Sequence, residues 1–465
     1  MIKLYNTQTK KKEILKPLKT KRINLFVCGP TVYDYSHIGH ARTYIAFDAF
    51  VKYLKQIGLD VFYLQNITNI DDKIIKRAKE QKTSPEKLAK FFEKEYLKDM
   101  KELKIDSVTK YAKATDYIKE IIQQIKQLID KGYAYKIEDG IYYDISKFKN
   151  YGKLSKRTIT QAQDAVSRID ETKNKKNKGD FCLWKFHKDD DPKWKSPFGD
   201  GRPGWHIEDT AITEKIFGYQ YDIHGGSRDL IFPHHEAEIA QIEAISGKSP
   251  MVNIWMHTGF LTINGQKMSK SLGNFITIQD FLKKYPAKYL RFLILKTLWH
   301  SPIDYSEKSI IDAKNSLEKI EEFLRKIKAI IISNQSNKEF ENIIQKSEKD
   351  FYLYLDDDFN TPKALAVIFN FIRKINKLID KNLINKKQAK KIKEFLRKIN
   401  EIFGIIDFKK IGKLEISKQI KELIKKREIF RKEKNWQKSD NIRKEIIKLG
   451  YKIKDTDKGT IITKK

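Results

Sequence analysis

An α/β domain built on a parallel sheet, interrupted by an insertion and followed by an α-helical bundle and a small basic module, is the architecture the sequence predicts. Three observations predict it. They are a strand, glycine turn, helix and strand in succession near the N-terminus, near-continuous helical periodicity after about Ser306, and a final segment, Lys410 to Lys465, with 19 basic and 8 acidic residues. The apolar run from Ile23 to Cys28 reads as a short buried strand ending at Gly29-Pro30. Ala41 through Gln56 has helical spacing, and Val61 to Asn66 is the next strand. Such a unit is a right-handed crossover of a Rossmann-type sheet, whose ligands lie beyond the carboxyl ends of its strands, so His37 and His40 are expected at the mouth of the sheet. From about 107 to 196 the pattern turns irregular and highly charged, including Glu171 to Lys178, and is expected to be an insertion between sheet halves. Gly201-Arg202-Pro203-Gly204-Trp205 then reopens ordered structure, Tyr221 to Gly226 reads as a strand entering a tight turn, and Met251 to Met256 as another strand. Helices are expected over Ile310–Ser333, Asn337–Leu355, Pro362–Leu383 and Lys386–Phe403. The expected domains are therefore 1–306 (α/β, with a lysine loop at 265–274), 307–408 (bundle) and 409–465 (basic module).

The bulk composition narrows the function classes. With 465 residues, 40% of them hydrophobic, the chain can fill two or three packed domains. Its formal charge of +33 favours a polyanionic partner, nucleic acid first, through counterion release and steering, although a lysine-rich coding bias would raise the charge without functional meaning. Two distant cysteines, Cys28 and Cys182, form no disulfide framework and point to a reducing, cytoplasmic compartment. No stretch approaches the roughly 20 apolar residues of a membrane span. The N-terminus lacks an apolar signal core, so neither secretion nor a membrane location is expected.

Three groups of residues carry chemistry. His37-Ile38-Gly39-His40 places two imidazoles beside the unpaired N–H groups of a helix start, where a phosphate oxyanion can be held. The plainer alternative is a histidine that only caps its helix. About 230 residues on, Lys267-Met268-Ser269-Lys270-Ser271 lies between Asn264-Gly265 and Leu272-Gly273-Asn274, so two ammonium groups on a glycine-flanked loop can swing onto a triphosphate. A solvated lysine loop is the competing reading. Cys28, His234 and Glu238 combine a thiol at a strand end with an imidazole and a carboxylate four apart on one helical face, residue types that ligate zinc. A buried cysteine and a polar helix surface over His234, His235, Glu236 and Glu238 would account for them without metal.

The first two motifs, in this order, are the signatures of class I aminoacyl-tRNA synthetases. Within that class the chain closely resembles the cysteinyl-tRNA synthetases, from Leu4-Tyr5-Asn6-Thr7 to its C-terminus. The resemblance is carried by the stretches from Cys28 to Asp34, from Asn66 to Lys73, from Gly201 to Glu208, from Phe232 to Glu238 and from Asp357 to Pro362. It implies adenylation of L-cysteine by ATP with Mg2+, release of pyrophosphate, and transfer of the cysteinyl group to the terminal ribose of tRNA(Cys). His37 and His40 would hold ATP phosphates together with Gly39, while Lys267 and Lys270, with Met268 and Ser269, would attend the leaving pyrophosphate. His224 and Gly226 would hold the adenosine. Gly29, Thr31, Thr68, Trp205 and His234 would line the cysteine pocket. In this family an active-site zinc binds the substrate thiolate, which selects sulfur over the serine hydroxyl and removes the need for editing. Arg427, Trp436, Asp440 and Asp455 match the family's anticodon-reading positions, and the resemblance is to a protein acting as a monomer. Without it, Trp436 would read as core and the aspartates as helix caps.

One departure bears on the zinc. The family has a second cysteine ligand where this chain has Asp209. A Cys28, Asp209, His234 and Glu238 site would be harder and less thiophilic, and three readings remain: zinc with Asp209, a different or weaker metal, or thiol selection without metal. The first is preferred because Cys28, His234 and Glu238 persist as a set. Cys182 sits in a segment the family uses for packing and is not promoted to a substitute ligand. Asn69, Ser227 and His300 are smaller departures that remove no catalytic group. Two other functions stay open at this level: a ligase joining activated cysteine to an amino sugar, against which the bundle and basic tail argue, and a non-catalytic RNA binder, against which the paired histidines and lysines argue.

Overall fold

The structure, a computed structural model, describes residues 1–157, 161, 174–188, 191–270, 272–330, 338–409, 411, 418–456 and 459–464. By internal contact it forms two units. One comprises Met1–Ile320 with Ile330–Ile406, the other Glu321–Ala329 with Asp407–Lys465.

The first unit is organised by five parallel strands: β1 (Arg22–Val27), β2 (Asp60–Ile67), β3 (Lys110–Lys113), β4 (Tyr221–Ser227) and β5 (Val252–Thr258), in the order β5-β4-β1-β2-β3. β1 is central, and Ile23, Leu25, Phe26 and Val27 are all fully buried, because a parallel sheet is covered on both faces and its middle strand is nearly all apolar; Asn24 interrupts the run, is buried too, and its backbone N–H donates to Asp222 at 2.8 Å. Helix α1 (Ile38–Gln56) follows β1. It is buried over most of its circumference and so shows little amphipathic contrast. Strand order reverses between β1 and β4, and the crevice at that switch point is where open α/β sheets bind ligands.

Two further helices frame the crevice. α2 (Ile207–Phe217) carries Glu208 and Asp209 in its first turn, and α3 (Glu236–Ser246) starts directly after His234 and His235. Bundle helices follow as α4 (Glu307–Ala329), α5 (Lys338–Asp356), α6 (Thr361–Asp380) and α7 (Lys386–Phe403). The expected helix ends at Ser333 and Asn337 lie outside the described residues. α7 packs on α1, where Gln56 Nε2 donates to the Lys398 carbonyl at 2.9 Å.

The stretch 107–196, expected as an insertion with an irregular, charged sequence pattern, contains regular elements. β3 is the edge strand of the central sheet, Ile118–Asp130 is a helix burying Ile118, Ile121, Ile125 and Leu128, and Ala134–Ile137, Gly140–Tyr143, Phe181–Phe186 and Gly201–Pro203 form an antiparallel sheet. Its lysines and aspartates mark exposed edges, while the strands are too short for alternation to stand out in a charged sequence. Within Glu171 to Lys178, residues 171–173 lie outside the described residues.

In the second unit, α8 (Lys418–Lys432), α9 (Trp436–Lys448) and a hairpin of β6 (Tyr451–Thr456) and β7 (Gly459–Lys464) enclose a small core of Ile420, Ile446 and Ile453. Among the described residues no helix is long and apolar enough to cross a membrane.

Candidate active site

The two signature motifs meet at the N-terminus of α1. His37 is its N-cap: Nδ1 accepts the Gly39 N–H at 3.1 Å, and His40 Nδ1 accepts the His37 N–H at 3.3 Å. The rings stack at 3.8 Å. Both Nδ1 atoms are acceptors, so each neutral imidazole carries its proton on Nε2. Burial is the main cause that pushes the His37 pKa down to about 4, opposed by Asp229 and reinforced by Lys270. Burial, then His37, holds His40 well below the usual histidine range. At neutral pH the pair therefore offers N–H donors and not cations. Capping and oxyanion binding are compatible, because they use opposite nitrogens.

The lysine loop is attached to the same helix end. The backbone of Ile38 donates to Ile276 at 3.1 Å, and Ile278 donates to Ser36 at 2.8 Å. A Cβ on Gly39 would lie 3.3 Å from the Met268 methyl, and Phe275 packs edge-on against His37 at 5.3 Å. Lys270 Nζ pairs with the Asp34 carboxylate and sits over the Phe275 ring at 5.2 Å. Lys267 is exposed on a two-residue strand, the Ser269 N–H donates to Asn274 at 2.8 Å, and Ser271 lies outside the described residues.

Deeper in the crevice, Cys28 leaves β1 and meets α2 and α3. Its Sγ is 3.0 Å from Asp209 Oδ2 and 3.4 Å from His235 Nε2. His234 Nε2 is 2.9 Å from Asp209 Oδ2 and 3.3 Å from Glu238 Oε1. Asp209, His235 and Glu238 are fully buried, Cys28 and His234 nearly so. The three helical donors share one face because residues three and four before Glu238 lie beneath its side chain.

This donor set fits a divalent cation. Both carboxylate oxygens of Glu238 and Oδ1 of Asp209 are buried with no hydrogen-bond donor, an arrangement that is costly unless a cation or proton satisfies them. Burial first, then the neighbouring carboxylates, pushes the Cys28 thiol and the Glu238 carboxyl well above their ordinary ranges. A bound cation reverses that preference.

The other pocket residues surround this cluster. The Trp205 indole stacks on His234 at 4.7 Å, and Thr31 bridges Thr68, whose hydroxyl donates to buried Glu208. A Cβ on Gly29 would sit 1.8 Å from the Asn66 carbonyl, so only glycine permits that approach. His224 is fully enclosed: its Nδ1 is 2.7 Å from the Tyr221 hydroxyl, its Nε2 3.6 Å from Glu238, and its ring stacks on Trp255. Sequence reasoning passed over His206, His235 and His257, which interlock with the cluster. His206 Nδ1 is 2.9 Å from His234 Nδ1, and His257 Nε2 is 2.8 Å from His235 Nδ1. The available signal was five histidines other than the His37 pair inside a 52-residue stretch, 206 to 257.

Residues 14–315 match the family described as tRNA synthetases class I (C) catalytic domain, 350–407 the DALR domain, and 414–461 the cysteinyl-tRNA ligase anticodon binding domain. The cysteine–tRNA ligase of Thermococcus gammatolerans is 46% identical over 99% of this chain and 98% of its own length, and that of Methanococcus maripaludis 45% identical over 100% and 99%. The chain belongs to the cysteine–tRNA ligase family. Its class I fold is shared with the solved methionyl-tRNA synthetase of Mycobacterium tuberculosis in complex with methionyl-adenylate, at a TM-score of 0.61 and 15% identity over 78% of this chain and 84% of that one.

Three residues expected from the sequence to depart from the family pattern have local partners. Asn69 exchanges hydrogen bonds with Thr115, Ser227 donates to Asp229, and His300 Nε2 lies 3.1 Å from Asp358. In the second unit, Trp436 opens α9 and is 59% exposed, which removes the core reading, and exposed Asp440 lies one turn along the same face. Arg427 is buried on α8; the side chain of Asp455, on β6, lies outside the described residues.

Proposed function

We propose that the protein activates L-cysteine with ATP and transfers it to the 3′-terminal adenosine of tRNA(Cys), with thiol selection at a zinc held by Cys28, Asp209, His234 and Glu238. The observation that carries this reading is the convergence of Cys28, Asp209, His234 and Glu238 in one buried cluster with orphaned carboxylate oxygens, in the same crevice as the α1 N-terminus.

In the first half-reaction a cysteine carboxylate oxygen attacks the α-phosphorus of ATP and pyrophosphate leaves. Nε2–H of His37 and of His40 donates to phosphate oxygens beside the helix N-terminus, with Gly39 giving the backbone close approach. Lys267 and Lys270 supply the positive charge, which neutral imidazoles cannot, as the pyrophosphate oxygens gain charge. Mg2+ accompanies the ATP. Gly226 lies on the adenosine side, whereas His224, expected beside it, is fully enclosed against Tyr221, Trp255 and Glu238 and supports the pocket from within. In the second half-reaction the ribose hydroxyl attacks the adenylate carbonyl and AMP leaves. When bound, the zinc supplies a thiolate-seeking Lewis acid that discriminates against a serine hydroxyl. Around it Gly29, Thr31, Thr68 and Trp205 exclude water and bound the small side chain.

Trp436, with Asp440 on the same helix face, suits stacking on and hydrogen bonding to unstacked anticodon bases, and Arg427 and Asp455 complete that reader. The two isolated, free cysteines support work in a reducing cytoplasm, and the proposal takes the protein to act as a monomer. Cysteine-dependent pyrophosphate exchange followed by charging of tRNA(Cys) tests the reading. Exchange and charging with cysteine but not serine are expected, and exchange without charging, or charging of an amino sugar instead, would refute it.

A further inference from the structure

We infer that the outward ridge of the helix Pro85–Glu102, formed by Lys87, Lys90, Lys94, Lys98 and Lys101 beside Phe91, is the surface that holds the acceptor arm of the tRNA. The inference rests on the tRNA reading proposed above and adds where that substrate lies as its 3′ end enters the crevice.

The ridge follows from the sequence of the helix. It carries five lysines and five carboxylates, so its net charge is zero, and a lysine-rich coding bias does not explain how the two signs are distributed. Leu88, Ala89, Phe92, Tyr96, Asp99 and Met100 are buried and define the inner face. At about 100° per residue the five lysines fall within about 80° of one another on the opposite side, and every carboxylate falls outside that arc. All five lysines are exposed, and among the described residues none has a carboxylate at ion-pair distance. The bundle helices show the contrary arrangement, in which Lys314, Lys326 and Lys390 each face a glutamate one turn away. Like charges three and four residues apart repel, so the ridge destabilises its helix unless a polyanion covers it.

Phe91 is a second, independent pointer to RNA. It is 50% exposed on the flank of the ridge and packs edge-on against Phe92 at 5.1 Å and Tyr35 at 6.3 Å. An aromatic ring among lysines suits an unpaired base, which stacks on the ring while the ammonium groups follow its phosphates. Position selects the acceptor arm over the anticodon arm. Tyr35 lies two residues before His37, and its ring also packs on Phe92 at 5.2 Å. From the same helix Glu95 accepts a side-chain N–H of Gln279 at 2.6 Å, just beyond the lysine loop. The helix thus braces both walls of the crevice mouth, where the terminal ribose must arrive. Its ridge extends about 21 Å from Lys87 to Lys101, long enough to follow several successive phosphates.

The triple variant Lys90→Gln, Lys94→Gln, Lys98→Gln removes three exposed charges while keeping good helix formers. Binding of tRNA(Cys) to the full-length protein is measured across a salt series. Affinity should fall roughly 10–100-fold near physiological salt, and the slope of log K against log salt concentration should shrink by about 2–3. Phe91→Ala should weaken binding by about 5–150-fold without changing the slope. Hydroxyl-radical footprinting at saturating protein should show the native chain protecting the acceptor arm and the triple variant losing that protection. Cysteine-dependent pyrophosphate exchange, which needs no tRNA, should stay native in the triple variant and confirms that it is folded. An unchanged affinity and slope would make the ridge a solvated face and overturn the inference, as would loss of protection confined to any other part of the tRNA. A native protein that neither exchanges nor charges overturns the underlying tRNA reading instead.

Discussion

Replacing Asp34 with asparagine should tighten ATP binding in the absence of cysteine. In the structure Lys270 is parked on the Asp34 carboxylate, with Arg77 as a second, looser partner at 3.8 Å. To reach a triphosphate the ammonium must leave that carboxylate, so the pair stabilises the ligand-free loop and opposes binding. Lys270 is 55% exposed and Asp34 15%, which places the pair among solvent-screened surface ion pairs worth about 0.2–1 kcal/mol. Lost from the ground state, that energy corresponds to a decrease of about 1.5- to 5-fold in the ATP dissociation constant. Equilibrium dialysis with labelled ATP at low salt reads it directly, and the shift should shrink in 0.5 M salt as screening increases. In a Lys270→Ala background Asp34→Asn should have no effect on ATP affinity, which makes the pair a double-mutant cycle. An unchanged affinity at low salt, or the same shift without Lys270, would show that Asp34 does not hold the loop.

Lys270→Ala itself should lower pyrophosphate exchange by about 10²–10³-fold, the cost of losing one charge-stabilising donor, with an unaltered thermal unfolding midpoint; near-native exchange refutes the assignment. Asp209→Cys should slow zinc loss to a chelator, whereas Asp209→Ala should lose metal and cysteine-over-serine selectivity together; an alanine variant that keeps both shows that Asp209 is not a ligand. Arg291→Met should destabilise the first unit by about 1–3 kcal/mol in denaturant melts, because fully buried Asp48 loses the guanidinium at 2.9 Å but keeps Lys52 at 2.9 Å, and the Phe403 and Leu103 carbonyls lose the Arg291 donors; an unchanged stability counts against a structural pair. Stability should fall as pH drops from about 6.5 towards 4, since His37 folds with a pKa of about 4 against 6.5 unfolded and the unfolded chain binds the extra proton in that window. His37→Gln should flatten the slope by up to one proton, about 1.4 kcal/mol per pH unit, and an unchanged slope refutes the buried neutral imidazole.

How much of this was legible depended on whether a residue's partners are local. β1, α1 and β2 could be read because a buried parallel strand writes a short apolar run and a buried helix a longer one into contiguous sequence, and each boundary fell within a few residues of the expectation. The four-stranded sheet of the insertion could not. Gly140–Tyr143 is buried along its length, paired with Phe181–Phe186 some forty residues away and packed into a core drawn from distant helices, and its own four letters carry no period.

The site divides along the same line. His37, His40, Lys267 and Lys270 are found from two local motifs, and the docking of the segment after the lysine loop on the start of α1 follows from backbone bonds at 36–38 and 276–278 that no motif encodes. Position 209 shows the limit most clearly. Sequence marks Asp209 as a lost thiolate, but only the fold shows that its carboxylate spans Cys28 and His234, contacts 181 and 25 residues distant in sequence. It also shows that a second imidazole, overlooked as helix surface, already faces the same sulfur. A substitution that reads as damage in one dimension is thus embedded in a donor cluster able to absorb it. The two positions should therefore be coupled: Asp209→Cys should make His235→Asn less costly for zinc retention than it is in the native chain. Strictly additive losses in the double variant would mean that the two side chains serve the site independently.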